Sequence, residues 1–212
     1  MLVIWPSVNK VLSRQKCELW REKGYKTCVI VDGHPDPDFG ADYVVGVPKW
    51  EGYASACNAA AGMFKSDVYV FAADDIYPDP EHDAGVLELR FKIRFPGLYG
   101  VAQPTGDKFA AWNRCAVSPW VGSEWVARHG PYHTGYFHYF CDEELQAHAT
   151  QEGVFEQWDD VNQYHEHWMR DDKHPGTLRS EESRPEHLLE ARNHWQKDSE
   201  TFRRRKDNGF RL

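Results

Sequence analysis

The run Ser66-Asp-Val-Tyr-Val-Phe-Ala-Ala-Asp-Asp-Ile-Tyr-Pro-Asp-Pro80 constrains the fold more than any other stretch of the chain. Val68 to Ala73 predicts a buried strand, because β-branched, aromatic and small residues follow one another without alternation. Pro78 and Pro80 stop the run before a helix could form. The strand then ends in Asp74-Asp75, and open α/β sheets place their ligands at the C-terminal ends of their strands. Adjacent carboxylates repel, so the pair stays ionised only beside a cation or hydrogen-bond donors. A divalent ion such as Mg²⁺ or Mn²⁺, carrying a diphosphate, meets that need with hard oxygen ligands. A solvated turn in which Asp74 or Asp75 caps the next segment meets it too, and the run alone leaves both readings open.

Around this run the pattern predicts alternating strands and helices. Leu2 to Trp5 reads as a first strand, and Ser7 is placed to cap a helix from about Val8 to Lys23 with Val11, Leu12, Cys17, Leu19 and Trp20 inward. Thr27 to Val31 is the second strand, ending at Asp32-Gly33, so the opening is a βαβ unit with parallel strands. Tyr43 to Val47 is a third strand, followed by an alanine-rich helix from Ala54 to Phe64 that carries Asn58. A polar residue within such a helix has a role, most commonly satisfying a nearby backbone group. Further on, helices are expected over 81–94, 121–128 and 142–152, and strands over 98–102, 109–117, 154–158 and 161–165. Residues 130–140 form an aromatic-rich loop. Asp171 to Gly176 is a polar loop and a candidate lid, and Ser183 with Glu186 forms a capping box for a last helix ending near Arg203-Arg-Arg-Lys206.

The fold class is therefore α/β: one Rossmann-like domain over 1–168, with a mostly parallel sheet flanked by helices, and a C-terminal helical extension over 169–212 packed on it. The formal net charge of −8 argues against bulk electrostatic binding of nucleic acid. Five cysteines without Cys-x-x-Cys spacing argue against a zinc ribbon or a disulfide framework, and reduced thiols in a cytoplasm fit best. No stretch is long and apolar enough for a membrane span, so a soluble protein is expected.

Polar stations follow strands or open helices at Asp32, Asp74-Asp75, Asp142 and His165/His167. In a parallel sheet Asp32 and Asp74-Asp75 share one edge. Asp142 in a first helical turn suits the helix dipole, and two histidines at i and i+2 on a strand face the same side, as metal ligation requires. Each has an ordinary explanation as well: a turn, a helix cap, a half-exposed strand.

Their serial order resembles the GT-A glycosyltransferases, in particular the large inverting group called family 2. The resemblance covers roughly residues 1 to 168. It rests on Pro6-Ser7 after the opening strand, Asp32, Gly52 to Asn58, Val68 to Pro80, Tyr139-Phe-Cys-Asp-Glu-Glu-Leu145 and His165-Glu-His167. It implies a nucleotide-sugar donor, a UDP-sugar above others, and Mn²⁺ or Mg²⁺ as cofactor. It implies that Asp32 binds the base, that Ser7 and Asn58 lie along the nucleoside, and that Asp74 faces the ribose or sugar. Asp75 would hold the metal with His165 or His167, and Asp142 would be the general base on an acceptor hydroxyl. The family's Asp-any-Asp is here Asp74-Asp75-Ile76, and Asp75, further from the strand, is the expected ligand. The acceptor is open among a glycan, a small molecule and a hydroxymethylated DNA base, for which Arg203 to Lys206 and the aromatic loop are the candidate contacts. A sugar-phosphate nucleotidyltransferase is the alternative enzyme, although Ser7-Val-Asn-Lys10 lacks the glycines expected after its first strand. A non-catalytic nucleotide-sugar-binding module is the alternative outside catalysis.

Overall fold

The computed structural model describes residues 1–108, 117–167 and 189–210. Its strands are β1 (Leu2–Pro6), β2 (Lys26–Asp32), β3 (Tyr43–Val47), β4 (Val68–Phe71), β5 (Val101–Pro104), β6 (Trp120–Gly122) and β7 (Phe155–Trp158). They form one seven-stranded sheet in the order β3-β2-β1-β4-β6-β5-β7. Pairings β1–β2, β2–β3, β1–β4 and β5–β7 are parallel, and only β6 runs against its neighbours. The helices are α1 (Lys10–Glu22), α2 (Tyr53–Met63), α3 (Ala84–Arg94), α4 (Ser123–His129), α5 (Cys141–Gln151) and α6 (Leu189–Asp207).

The unbroken apolar character of β1, β2 and β4 has a direct cause: both faces of these strands are covered. Alternate residues serve opposite cores. Leu2 and Ile4 join the alanines of α2 and Trp125 on one face, while Val3 and Trp5 join Cys17 and Trp20 of α1 on the other. Cys17, Cys28, Cys57 and Cys141 are buried free thiols. No helix among the described residues is long and apolar enough to cross a membrane.

Several expectations are corrected. Asn9, not Ser7, caps α1, its side chain accepting from the Leu12 N–H at 3.0 Å. The buried face of α1 is Ser13, Lys16, Cys17 and Trp20, whereas Val11 is 69% and Leu19 36% exposed. Trp120 to Gly122 is a strand where the pattern predicts a helix from Val121, because Trp120 is needed in the sheet core. β5 starts only at Val101, after a 3₁₀ turn over Pro96–Leu98. Residues 161–165 are not a strand but an extended segment with a single antiparallel bridge, Ile76 to His165. Its partner is the loop after β4, where Pro78 has no N–H to extend a ladder. The expected strand over 109–117, but for Val117, the Asp171–Gly176 lid, the Ser183/Glu186 capping box and the 168/169 boundary lie outside the described residues.

Candidate active site

The chain leaves β1 through α1 towards β2 and β3, then returns to place β4 on the other side of β1. Such a reversal opens a crevice at the C-terminal ends of the two strands. Ser7 directly follows β1 and Asp74 follows β4, and across this crevice the Ser7 hydroxyl donates to Asp74 Oδ2 at 3.0 Å. Ser7 is itself fixed, since its N–H donates to the Ile30 carbonyl at 3.0 Å and its Oγ accepts from the Asn9 N–H at 3.2 Å. Asp32 ends β2, one strand beyond β1 on the same edge, and is exposed. At the usual strand spacing it stands about 10 Å from the Asp74 position.

Asp75 faces the other way. Its Oδ1 lies 3.2 Å from His165 Nε2, and the His165 and His167 rings meet edge to face with centroids 4.9 Å apart. Burial alone would raise the Asp75 pKa, but the two imidazoles reverse that and hold it below the ordinary carboxylate range. The two segments are clamped together. The Glu166 N–H donates to the Asp75 carbonyl and the Tyr77 N–H to the Tyr164 carbonyl, both at 2.8 Å, and the Tyr77 hydroxyl donates to Glu166 at 2.8 Å. Asp79, 2% exposed, accepts from the N–H groups of Glu81 and His82 and from that of Asn162. His165 N–H donates to Asp107 at 3.2 Å. The adjacent carboxylates thus have separate environments, Asp74 towards Ser7 and Asp75 towards the histidines.

Beneath them lies a residue that hydrophobic periodicity assigns to solvent. Lys16 is 1% exposed, with Nζ 2.9 Å from the centroid of the Tyr77 ring. Burial lowers its pKa to about 8, against the opposing pull of Glu166, Asp75 and Asp74. A cation placed there offsets part of the repulsion between the two acids.

The opposite wall is built on α2 and the 131–142 segment. Asn58 satisfies backbone groups, as its place in a helix suggests. Its amide donates to the Tyr132 carbonyl at 2.7 Å and accepts from the Tyr132 N–H at 3.1 Å. Gly52, at φ 98°, caps α2, and a Cβ there would stand 2.2 Å from the Phe137 carbonyl oxygen. The Tyr53 N–H donates to that carbonyl at 2.7 Å, while the Tyr53 hydroxyl donates to the Ala72 carbonyl at 3.3 Å. Tyr53 therefore ties the wall that leads into α5 to the end of β4. Asp142 is the second residue of α5, half-buried, with Oδ1 accepting from the Glu143 N–H at 3.0 Å.

Two further carboxylates that pattern reading missed hold this wall. Asp198 of α6, fully buried, accepts from the N–H groups of Phe137, His138 and Tyr139, each at 3.0 Å. Glu144 takes the Arg205 guanidinium at 2.9 Å and the Tyr136 hydroxyl at 2.6 Å. Aromatic residues of the loop are engaged in the same contacts: Tyr132 and Tyr136 are buried, Phe137 stacks on His194 at 3.8 Å, and Phe140 packs on Trp195 and Phe202.

A carboxylate oxygen with two imidazoles is a mixed donor set that fits Mn²⁺ better than the oxygen-seeking Mg²⁺. Asp75 and His165 are already in contact, and the His167 ring lies beside that of His165. Asp74 instead accepts from the Ser7 hydroxyl.

No protein-family model and no curated protein matches the sequence. Solved structures do. A mannosyltransferase from Pyrobaculum calidifontis, PcManGT, in complex with GDP-Man and Mn²⁺, superposes with a TM-score of 0.58 at 16% identity, over 76% of this chain and 55% of that one. Glucosyl-3-phosphoglycerate synthase from Mycobacterium tuberculosis, with Mn²⁺, UDP and phosphoglyceric acid, gives 0.52 at 15% identity over 78% and 70%. Residues 1–349 of S. aureus TarS, in complex with UDP, give 0.56 at 10% identity over 77% and 59%. The chain thus spans about half the length of the mannosyltransferase it matches. At these identities the likeness concerns architecture, and the architecture of this chain is the GT-A fold of the glycosyltransferases.

Proposed function

We propose that this protein is a divalent-metal-dependent inverting glycosyltransferase, moving a sugar from a nucleoside diphosphate sugar, a UDP-sugar foremost, to an acceptor hydroxyl. The observation that carries the reading is the divided acid pair at the β1/β4 crevice, with Asp74 on Ser7 and Asp75 on His165. The like-folded enzymes with Mn²⁺ and UDP or GDP-Man support it. Asp32, at the outer end of the same edge, is assigned to the base, and Ser7 and Asp74 to the ribose or sugar. Asn58 serves this site indirectly, by fixing the Tyr132 backbone.

Asp75, His165 and His167 would hold Mn²⁺, whose charge neutralises the departing nucleoside diphosphate. Asp142 takes the proton from the acceptor hydroxyl as that oxygen attacks C1. Attack from the face opposite the diphosphate inverts the anomeric centre. Tyr53 and Asp198 hold the wall that carries Asp142, so the base meets the acceptor in one fixed orientation.

The acceptor reading favours a glycan or small molecule over a DNA base. The net charge of −8 opposes bulk phosphate binding, Arg205 is turned inward to Glu144, and Tyr132 and Tyr136 are buried, which leaves Arg203, Arg204 and Lys206 as the exposed cations of the cluster. Hydrolysis and transfer from a panel of UDP- and GDP-sugars with Mn²⁺ tests the class. Turnover is expected for the intact protein and a loss of roughly 100-fold or more for Asp142→Asn. Absence of turnover for every donor, with every divalent metal, would sink the proposal.

A further inference from the structure

Away from the β1/β4 crevice, two helices bring another set of metal-ligating side chains together. His129 ends α4, while His148 and Glu152 sit one turn apart at the far end of α5. Each offers one ligand atom, and these lie within 4.8 Å of one another, the one such group of histidine, cysteine and acidic residues among the described residues. His148 Nε2 is 3.0 Å from Glu152 Oε1, and the two imidazole rings meet edge to face with centroids 4.7 Å apart. The Tyr99 hydroxyl, just before β5, contacts both His129 Nε2, at 2.9 Å, and Glu152.

We propose that His129, His148 and Glu152 form a second metal site, selective for a Zn²⁺-type transition ion and structural in role. Two imidazoles and one carboxylate are a zinc donor set, and they suit neither Mg²⁺ nor Ca²⁺. Arg128, the cation that acts on His129, is engaged by Glu124 at 2.7 Å. His129 and His148 line a small cavity of about 30 Å³, bounded also by Trp125, His133 and Arg205. The Tyr99 hydroxyl is positioned to orient Glu152 or His129 from behind, as outer partners of metal ligands do.

The consequence is mechanical. An ion there would join the last turn of α4 to the last turn of α5, closing the base of the 130–140 loop. Asp142 is ten residues from Glu152, about 15 Å along α5. The second ion therefore stands clear of Asp142, and the inference does not depend on the reaction proposed above.

Tag-free, full-length protein carrying Asp75→Ala, which removes the carboxylate of the first site, is the material for the test. It is expected to bind one Co²⁺ per chain with the visible d–d absorption of a low-coordinate nitrogen and oxygen site. Its Tm is expected to rise by about 5–10 °C at Zn²⁺ concentrations a hundredfold above Kd. Adding His129→Gln or His148→Gln is expected to weaken Zn²⁺ binding more than about tenfold and to abolish the absorption. Glu152→Gln, at an exposed position, perturbs packing least and is expected to weaken binding in the same direction even if a histidine variant misfolds. Unchanged Zn²⁺ affinity in Glu152→Gln and in a folded histidine variant would overturn the proposal. So would failure of the Asp75→Ala protein to bind Zn²⁺ or Co²⁺ stoichiometrically.

Discussion

At the scale of single residues, the two adjacent aspartates differ by what each faces. Asp75→Asn is expected to weaken Mn²⁺ binding by roughly 100-fold or more, and Asp74→Asn by less than about tenfold, in a titration followed by Mn²⁺ electron paramagnetic resonance. Because the imidazoles depress the Asp75 pKa, it stays ionised to lower pH than a free carboxylate. The stability this gives is present above the unfolded pKa of about 3.9 and is lost as pH falls through the lower folded value. Lys16 has the opposite sign. Its pKa falls from 10.5 to about 8 on folding, so the native state binds fewer protons there, and the penalty is full below pH 8 and fades towards 10.5. Lys16→Met is expected to be more stable than the parent at pH 7 by on the order of 3 kcal/mol, with most of that gap gone at pH 10, by urea unfolding. The positions of Asp32, Asp74 and Asp75 after their strands were legible because acids after apolar strands stand out. Lys16 was not, because periodicity counts any lysine as outward, and only the acids packed over α1 make a buried amine tolerable there. Asn58 was legible as a polar residue with a purpose, and that purpose is to hold the Tyr132 backbone.

At the scale of elements, α6 is what holds the 137–139 segment that leads into α5. Replacing Asp198 by Ala strands three backbone N–H groups of residues 137–139 in a buried place. The expected cost is on the order of 3 kcal/mol, a fall in Tm of roughly 6–12 °C by calorimetry. A larger loss in kcat than in donor KM is expected with it, since Asp142 and not the donor site adjoins that segment. Strands covered on both faces, β1, β2 and β4, could be read directly because burial leaves an unbroken apolar run. The short β6 could not, because three residues leading straight into α4 carry no period of their own. The segment ending at His165 looked like a strand, yet it gains only one bridge because its partner is a proline-bearing loop. The three N–H groups gathered by Asp198 join positions 59–61 residues apart, a separation that no local pattern encodes.

At the scale of the whole molecule, the sheet order creates the site. Crossing from β3 back over β1 to β4 brings together Ser7 and Asp74, 67 residues apart in sequence. The parallel βαβ opening and the acid-tipped strand made this edge foreseeable, but the order of the last strands depends on long-range pairing that composition does not carry. The net charge of −8 and the inward Arg205 lead to another expectation: no binding of duplex DNA in a mobility-shift assay at physiological salt. Strong, salt-sensitive binding would reopen the DNA acceptor. The most direct measurement for the donor site is calorimetric titration of UDP and GDP into the protein with and without Mn²⁺, repeated on Asp75→Ala. Binding of at least one of these nucleotides that needs Mn²⁺ and disappears in the variant is expected. Equal binding without metal, equal binding to Asp75→Ala, or no binding of either nucleotide would contradict a metal–diphosphate site at the β1/β4 crevice.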